Sequence, residues 1–174
     1  FCIIKDFALG STHLLQKELI AKALIVDCDV HDGKGTGSSL AHEPRVTTFS
    51  MHVASNYPLY KEVSDVDVAL PDGTSDDAYL ALLSEHLERL LPMKGNLPDI
   101  VFYQCGVDIL ETDKLGRLGV SMQGCMERDR LVLERCAALG TPVVCAMGGG
   151  YSPDVNTVVQ AHVNTFRVAL DAWT

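Results

Sequence analysis

The feature that most constrains this chain is a short apolar run that ends in an acidic, histidine-containing loop. Residues 23–26, Ala-Leu-Ile-Val, are typical of a strand buried in a parallel sheet. Asp27, Asp29 and His31 follow directly, and a glycine-rich loop comes next. Burying such groups is costly unless they are paired, and ligands bind at the carboxyl ends of strands in open α/β sheets. A metal ion would account for the acidic pair and the histidine together.

Composition and charge restrict the class of protein. The 174 residues are 47% hydrophobic and 21% charged, which fits one globular domain with its own core. The formal net charge is −9, and the 14 Lys and Arg residues form no basic run, so we expect no direct nucleic-acid partner. No apolar run is long enough to cross a membrane, and we therefore expect no membrane partner.

Cysteine usage favours reduced thiols. None of the six cysteines belongs to a Cys-x-x-Cys pair, and most fall in apolar patterns. They are Cys2, Cys28, Cys105, Cys125, Cys136 and Cys145. We expect buried free thiols in a reducing compartment rather than a disulfide framework or a zinc knuckle.

Strands that alternate with amphipathic helices predict the fold. Strands are expected at residues 23–28, 46–53, 66–70, 99–106 and 142–147. Helices are expected at residues 1–22, 38–41, about 75–92, 121–139 and 154–172. Ser121 is the expected N-cap of its helix and Gly140 the expected stop. This order predicts an α/β fold with a mostly parallel sheet and helices on both faces.

Polar groups stand at three of the predicted strand ends. Asp29 and His31 follow the first strand, Asp108 follows Gly106, and Tyr151 follows three glycines. Singly, a strand-end Asp often caps a turn, Gly-Gly-Gly-Tyr fits a flexible loop, and Asp-x-Asp-x-His fits either a metal site or a buried polar network. Together they favour one crevice in which two carboxylates and an imidazole hold a divalent ion, with room for water and substrate.

These motifs resemble those of the histone deacetylase superfamily. Residues 27–36, Asp-Cys-Asp-Val-His-Asp-Gly-Lys-Gly-Thr, resemble its zinc-binding loop. Residues 106–108, continuing to Asp-Lys-Leu-Gly at 113–116, resemble its second metal segment. Gly149-Gly150-Tyr151 resembles its catalytic tyrosine loop.

The resemblance extends in order over nearly the whole chain. Phe1-Cys2 resembles the end of a Gly-Phe-Cys segment, and Ser50-Met51-His52 resembles a Ser-Leu-His strand end. Residues 56–77 are most similar to the class IV and bacterial branches. The implied fold is the arginase/deacetylase-like sheet.

The resemblance implies two cation sites. Zinc would be held by Asp29, His31 and Asp108, and Asp27 would orient a neighbouring histidine. A structural potassium ion would use oxygens of the same loop and the next strand: Asp27, Asp29, the main chain of His31, Ser50 and Met51.

The resemblance also implies the reaction, which is hydrolysis of the amide of N-acetyl-lysine in histones or other proteins. Tyr151 would hydrogen-bond the developing oxyanion. Phe1, Gly149 and Gly150 would line the substrate channel. A corepressor-type protein complex and a location in the nucleus or cytoplasm are further implications.

The chain departs from the family pattern in its histidines. The family's general base and acid are adjacent histidines shortly before the Phe-Cys segment, and no His-His pair is present here. Five histidines match neither position: His13, His42, His52, His86 and His162. Because Phe1 begins inside a family motif, we expect an N-terminal truncation and an incomplete sheet. Residues 1–174 would then be the C-terminal portion of a single deacetylase-like catalytic domain, unable alone to run normal turnover.

Two departures lie in the metal loop itself. Asp32 stands where His or Gln is common, and Lys34 stands where Asp or Asn often supports the second histidine. A cation there would push a neighbouring imidazole toward its neutral form. These two departures leave open whether the longer protein has normal activity, altered activity or none.

Other functions fit parts of the pattern. An arginase-like dimanganese hydrolase shares the Asp-x-His motif, but it needs an Asp two residues after the histidine, where Gly33 stands. A small-molecule deacetylase of the polyamine or acetoin type stays open, because the metal site does not choose the acyl substrate. A non-catalytic domain that retains the fold and binds partners is the alternative from a different class.

Overall fold

The computed structural model describes residues 4–58 and 60–174, without the side chain of Lys34. The described residues form five helices and five strands. The helices are α1 (Asp6–Gln16), α2 (Lys34–Leu40), α3 (Asp76–Leu90), α4 (Met122–Leu139) and α5 (Val155–Ala172). The strands are β1 (Ala23–Asp27), β2 (Val46–Val53), β3 (Val66–Leu70), β4 (Ile100–Gln104) and β5 (Val143–Ala146). The expected roles of Phe1 and Cys2 lie outside the described residues.

The five strands form one sheet in the order β3-β2-β1-β4-β5, and all of their pairings are parallel. This confirms the predicted fold class. Strand β1 is central, with Asp27 in register with Ser50 of β2 and Gln104 of β4. The polar loop that follows β1 therefore leaves the middle of the sheet at its carboxyl edge.

Helices cover both faces of the sheet. Successive residues of a strand point to opposite faces, so alternate residues of β1 pack against different helices. Leu24 and Val26 belong to a core that includes buried residues of α3, α4 and α5. Ala23 and Ile25 belong to a second core with residues of α1 and α2. Four consecutive apolar residues are thus needed, because each face of β1 packs against helices.

The helix boundaries of α4 agree with the capping pattern. The Ser121 hydroxyl accepts a hydrogen bond from the Gly124 N–H at 3.0 Å, as an N-cap side chain does. Gly140 ends the helix with a left-handed φ of 66°. No described helix has both the length and the apolar character needed to span a membrane.

Three local predictions were wrong. Helix α1 ends at Gln16 rather than at residue 22, and Glu18 has a left-handed φ of 56°. Helix α2 begins at Lys34 rather than at Ser38. Strand β5 is not buried, because it lies at an edge of the sheet, and Cys145 is exposed there. The other described cysteines are buried free thiols, as expected: Cys28, Cys105, Cys125 and Cys136.

Candidate metal centre and active site

Asp29, His31 and Asp108 converge at the carboxyl edge of the sheet; we call them the first cluster. His31 Nδ1 lies 3.0 Å from Asp29 Oδ1 and 3.1 Å from Asp108 Oδ2. One ligand-capable atom from each of the three lies within 4.8 Å of the others. Because β1 and β4 are adjacent and parallel, the loops that follow them open on the same side.

Backbone N–H groups hold the two carboxylates in place. The N–H of His31 donates to Asp29 Oδ1 and the N–H of Gly149 donates to Asp29 Oδ2, both at 3.0 Å. The N–H of Val30 donates to Asp108 Oδ1, also at 3.0 Å. The second oxygen of Asp108 is thereby directed at His31.

The protonation preferences show that the first cluster attracts positive charge. Hydrogen bonds to Asp108 and Asp29 raise the pKa of His31 to about 9. Burial raises the pKa of Asp108 to about 6. Burial also acts to raise the pKa of Asp29, but hydrogen bonds from His31 and Gly149 lower it overall. Without a metal ion, the proton on His31 partly balances the negative charge of the Asp29 and Asp108 carboxylates.

The glycine loop after β5 closes over this cluster. A Cβ atom on Gly149 would overlap Asp108 Oδ2, and a Cβ atom on Gly106 would overlap Asp29 Oδ2. Only glycine permits this close approach of the backbone to the carboxylates. Gly149 and Gly150 both line a cleft of about 720 Å³ together with the first cluster's Asp29 and His31.

Tyr151 lines the same cleft. Its ring is edge-on to the His31 ring, with 6.4 Å between centroids and an interplanar angle of 84°. The Tyr151 N–H donates to Asp113 Oδ2 at 2.6 Å. Asp113 Oδ1 in turn accepts from the N–H groups of Leu115 at 2.8 Å and Gly116 at 2.7 Å. The 113–116 segment thus anchors the backbone of the tyrosine.

The residues expected around a potassium ion also lie together. Asp27 Oδ1 accepts from the Asp29 N–H at 3.1 Å. Burial, followed by the charge of Asp29, raises the pKa of Asp27 well above its ordinary value. Ser50 lies beside Asp27 in the sheet register, and Met51 is completely buried. The neighbouring histidine that Asp27 was expected to orient is not among its hydrogen-bond partners in the described residues, and that role stays a prediction.

Sequence reasoning missed Arg128, which is fully buried in α4. Its Nη1 donates to the Gly106 carbonyl at 2.5 Å and lies 3.4 Å from the Cys28 carbonyl. These carbonyls belong to the two backbone segments that lead into Asp29 and Asp108. One guanidinium therefore contacts both backbone segments that position the carboxylates of the first cluster.

The charge of Arg128 is balanced inside the core. Arg128 Nη2 lies 2.8 Å from Asp129 Oδ1. The same carboxylate accepts from the Tyr103 and Thr165 hydroxyls, each at 2.6 Å. The helical period of α4 places positions 125, 128, 129 and 132 on one face. The two charged residues on that otherwise apolar face, Arg128 and Asp129, were the sequence signal for a buried ion pair.

Asp32 does not join the first cluster. Its Oδ2 accepts from the Glu62 N–H at 3.0 Å. Its ligand-capable atom instead lies within 4.8 Å of those of His52 and Asp67. We call Asp32, His52 and Asp67 the second cluster; sequence reasoning assigned no role to the last two.

Relatives of known sequence cover the chain well but extend beyond it. An uncharacterized protein of Picosynechococcus sp. is 44% identical over 173 residues, which is 99% of this chain and 57% of that protein. Histone deacetylase 2 of Arabidopsis thaliana is 32% identical over 154 residues, 87% of this chain and 39% of its own length. The chain thus spans about half the length, or less, of these relatives.

Solved structures share the fold. A histone deacetylase homologue from Aquifex aeolicus superposes with a TM-score of 0.79 at 22% identity, over 97% of this chain and 47% of that one. A homologue complexed with SAHA gives a TM-score of 0.78 at 22% identity, over 99% of this chain and 47% of its own. The model of the histone deacetylase domain matches residues 1–166. The chain therefore belongs to the histone deacetylase domain family.

Proposed function

We propose that this chain forms part of a zinc-dependent deacetylase that hydrolyses the amide of N-acetyl-lysine in histones or other proteins. The observation that carries the proposal is the convergence of Asp29, His31 and Asp108 from two adjacent strand ends, with Tyr151 lining the same cleft. Family membership supports the same chemistry.

The donor set of the first cluster fits zinc. Imidazole nitrogen and carboxylate oxygen are both ligands of zinc, and three protein ligands leave a fourth position open for water or substrate. Asp29, His31 and Asp108 would hold the ion, whose role when bound is to polarise the amide carbonyl and to lower the pKa of a water molecule. The proton that His31 retains would leave when the metal binds.

The residues of the chain would position the substrate and stabilise charge. The Tyr151 hydroxyl would donate a hydrogen bond to the amide oxygen as negative charge develops on it. Gly149 and Gly150 would let the acyl-lysine chain lie close to the backbone of the cleft. Asp113 would hold Tyr151 in place through the backbone N–H.

Proton transfer needs groups beyond these. Among the described residues that line the cleft, His31 is the only histidine, and it is assigned to the metal. The resemblance assigns the base and acid to paired histidines that this sequence does not contain. We therefore propose turnover only for the longer protein and none for residues 1–174 alone.

Three other functions are alternatives to this one. Asp32 is grouped with His52 and Asp67 rather than with the first cluster, so an arginase-like dimanganese centre lacks its additional carboxylate. A small-molecule deacetylase with an acetylated polyamine as substrate would use the same metal site. A non-catalytic binding domain would retain the zinc without turnover. A corepressor-type complex and a nuclear or cytoplasmic location stay predictions of the resemblance.

The test uses the full-length protein loaded with zinc, assayed in parallel on an acetyl-lysine peptide and an acetylated polyamine. We expect turnover of the peptide, and we expect Asp108→Asn to abolish both zinc retention at the first cluster and activity. Turnover of the polyamine alone would favour the small-molecule enzyme. Stoichiometric zinc without any turnover would favour the binding domain, and unchanged zinc content in Asp108→Asn would overturn the ligand assignment.

A further inference from the structure

The second cluster, formed by Asp32, His52 and Asp67, has the composition of a metal site. Each residue brings one ligand-capable atom within 4.8 Å of the others. We propose that these residues bind a second first-row divalent cation of the Zn²⁺ class, independently of the first cluster.

The sheet register explains why the three residues meet. Asp67 of β3 lies beside Ser50 of β2, and His52 follows Ser50 by two residues, on the same face of the sheet. The loop after β1 contacts this face, where the Gly33 backbone nitrogen lies 3.4 Å from Ser50 Oγ. Asp32, the residue before Gly33, is thereby brought to His52 and Asp67.

Asp32 carries the clearest sign of a missing ligand. The residue is 9% exposed, and only its Oδ2 is used, in the hydrogen bond from the Glu62 N–H. Its Oδ1 is buried and has no hydrogen-bond partner. Leaving a buried acceptor without a hydrogen-bond partner destabilises the folded state, and more so when the acceptor is charged. A bound cation would remove this cost.

The His52 ring makes the kind of hydrogen bond that orients metal-binding histidines. Its Nδ1 lies 2.9 Å from Ser50 Oγ. In the tautomer that carries its proton on Nδ1, His52 donates to Ser50 Oγ, which also accepts from the Gly33 N–H. The lone pair is then on Nε2, which has no hydrogen-bond partner among the residues described. Ligating histidines commonly donate their second ring N–H in this way.

Among the side chains that the structure describes, no lysine or arginine forms an ion pair with Asp32 or Asp67. Lys61 is nearby, but its ammonium donates to the Asn56 carbonyl at 2.6 Å. Within the described part of the chain, no ion pair joins Lys61 to Asp32 or Asp67. Asp67 is exposed and leaves a route from solvent. An imidazole with two carboxylates suits Zn²⁺ or Mn²⁺ better than Mg²⁺ or Ca²⁺, which prefer oxygen alone.

The test counts metal in the full-length protein. After equilibration with Zn²⁺ and removal of the excess, we expect two equivalents by mass spectrometry, one for each cluster. Asp32→Asn and Asp67→Asn should each lose one equivalent. Asp77→Asn, which makes the same charge change on an exposed position of α3, should retain both. Lys61→Gln should tighten the second equivalent several-fold in a calorimetric Zn²⁺ titration, because it removes a nearby positive charge.

The outcomes separate this proposal from the proposed function. If Asp108→Asn abolishes one equivalent while Asp32→Asn and Asp67→Asn match Asp77→Asn, the second site is refuted and the first stands. If the first cluster fails to bind Zn²⁺, the equivalent that depends on Asp32 should still be present. Asp67 is exposed, so its variant keeps the test decisive if Asp32→Asn does not fold, and circular dichroism of each variant checks the fold.

Discussion

The buried Arg128 guanidinium donates to the Gly106 carbonyl at 2.5 Å, directly beneath the loop that carries Asp108. The same Nη1 atom lies 3.4 Å from the carbonyl of Cys28, which precedes Asp29. The candidate metal centre is therefore supported by a buried charged side chain of α4, whose counter-ion is Asp129.

Replacing Arg128 with Met should destabilise the fold by about 3–5 kcal/mol, because it leaves Asp129 buried without its partner. Urea unfolding of the metal-free protein measures this change. Arg130→Met, on the more exposed side of the same helix, is the matched control and should stay within about 0.5 kcal/mol of wild type. Equal effects of the two variants would show that the buried pair has no special role.

Gly149→Ala should weaken Zn²⁺ binding at the first cluster by about 10- to 100-fold, the range for disturbed support of a metal ligand. The added methyl group would overlap Asp108 Oδ2 and force the carboxylate to move. A competition assay with a fluorescent chelator measures the affinity. Gly10→Ala, where the new Cβ would meet Phe102 at an ordinary 3.6 Å, should leave the affinity unchanged.

Tyr151→Phe should lower kcat of the full-length enzyme by about 100- to 1,000-fold, because one donor to the developing oxyanion is lost. Zinc content and KM should change little, since the phenol is not among the proposed ligands. Steady-state kinetics with an acetyl-lysine peptide gives both constants. A variant that loses zinc together with activity would contradict this division of roles.

His162 should make the stability fall on the acid side of neutrality. Its Nδ1 is buried without a hydrogen-bond partner. Burial lowers its pKa, Arg128 lowers it further, and Asp129 raises it. The folded state therefore prefers the neutral ring, while the unfolded chain takes up the proton below about pH 6.5. The contribution of His162 to the free energy of unfolding should therefore decrease as the pH falls from about 7 to about 5.

The His162→Gln variant should lose less stability than wild type over the same pH interval. Urea unfolding at several pH values gives the slope of stability against pH. His13→Gln, which removes an exposed histidine of α1, should keep the wild-type slope. Identical slopes for wild type and His162→Gln would refute the assignment.

Local patterns in the sequence were sufficient for β1 and for the ends of α4, but not for the end of α1 or the start of α2. The apolar run at 23–26 predicts a strand covered on both faces, and β1 is such a strand. Ser121 and Gly140 predict the ends of α4, because capping needs only nearby backbone groups. The apolar pattern of residues 142–147 wrongly predicted a buried strand, because no local feature of the sequence shows that β5 lies at an edge of the sheet.

The sequence by itself determined the parallel α/β fold and the ligand-capable residues at its strand ends, since periodicity and residue type are local properties. Only the tertiary structure decided which of those residues meet. The order of the strands places Asp108 against His31 at 3.1 Å across 77 residues of chain. The packing of loops and α4 separates Asp32 from the first cluster and sets Arg128 beneath it, because these contacts depend on which segments become neighbours in space.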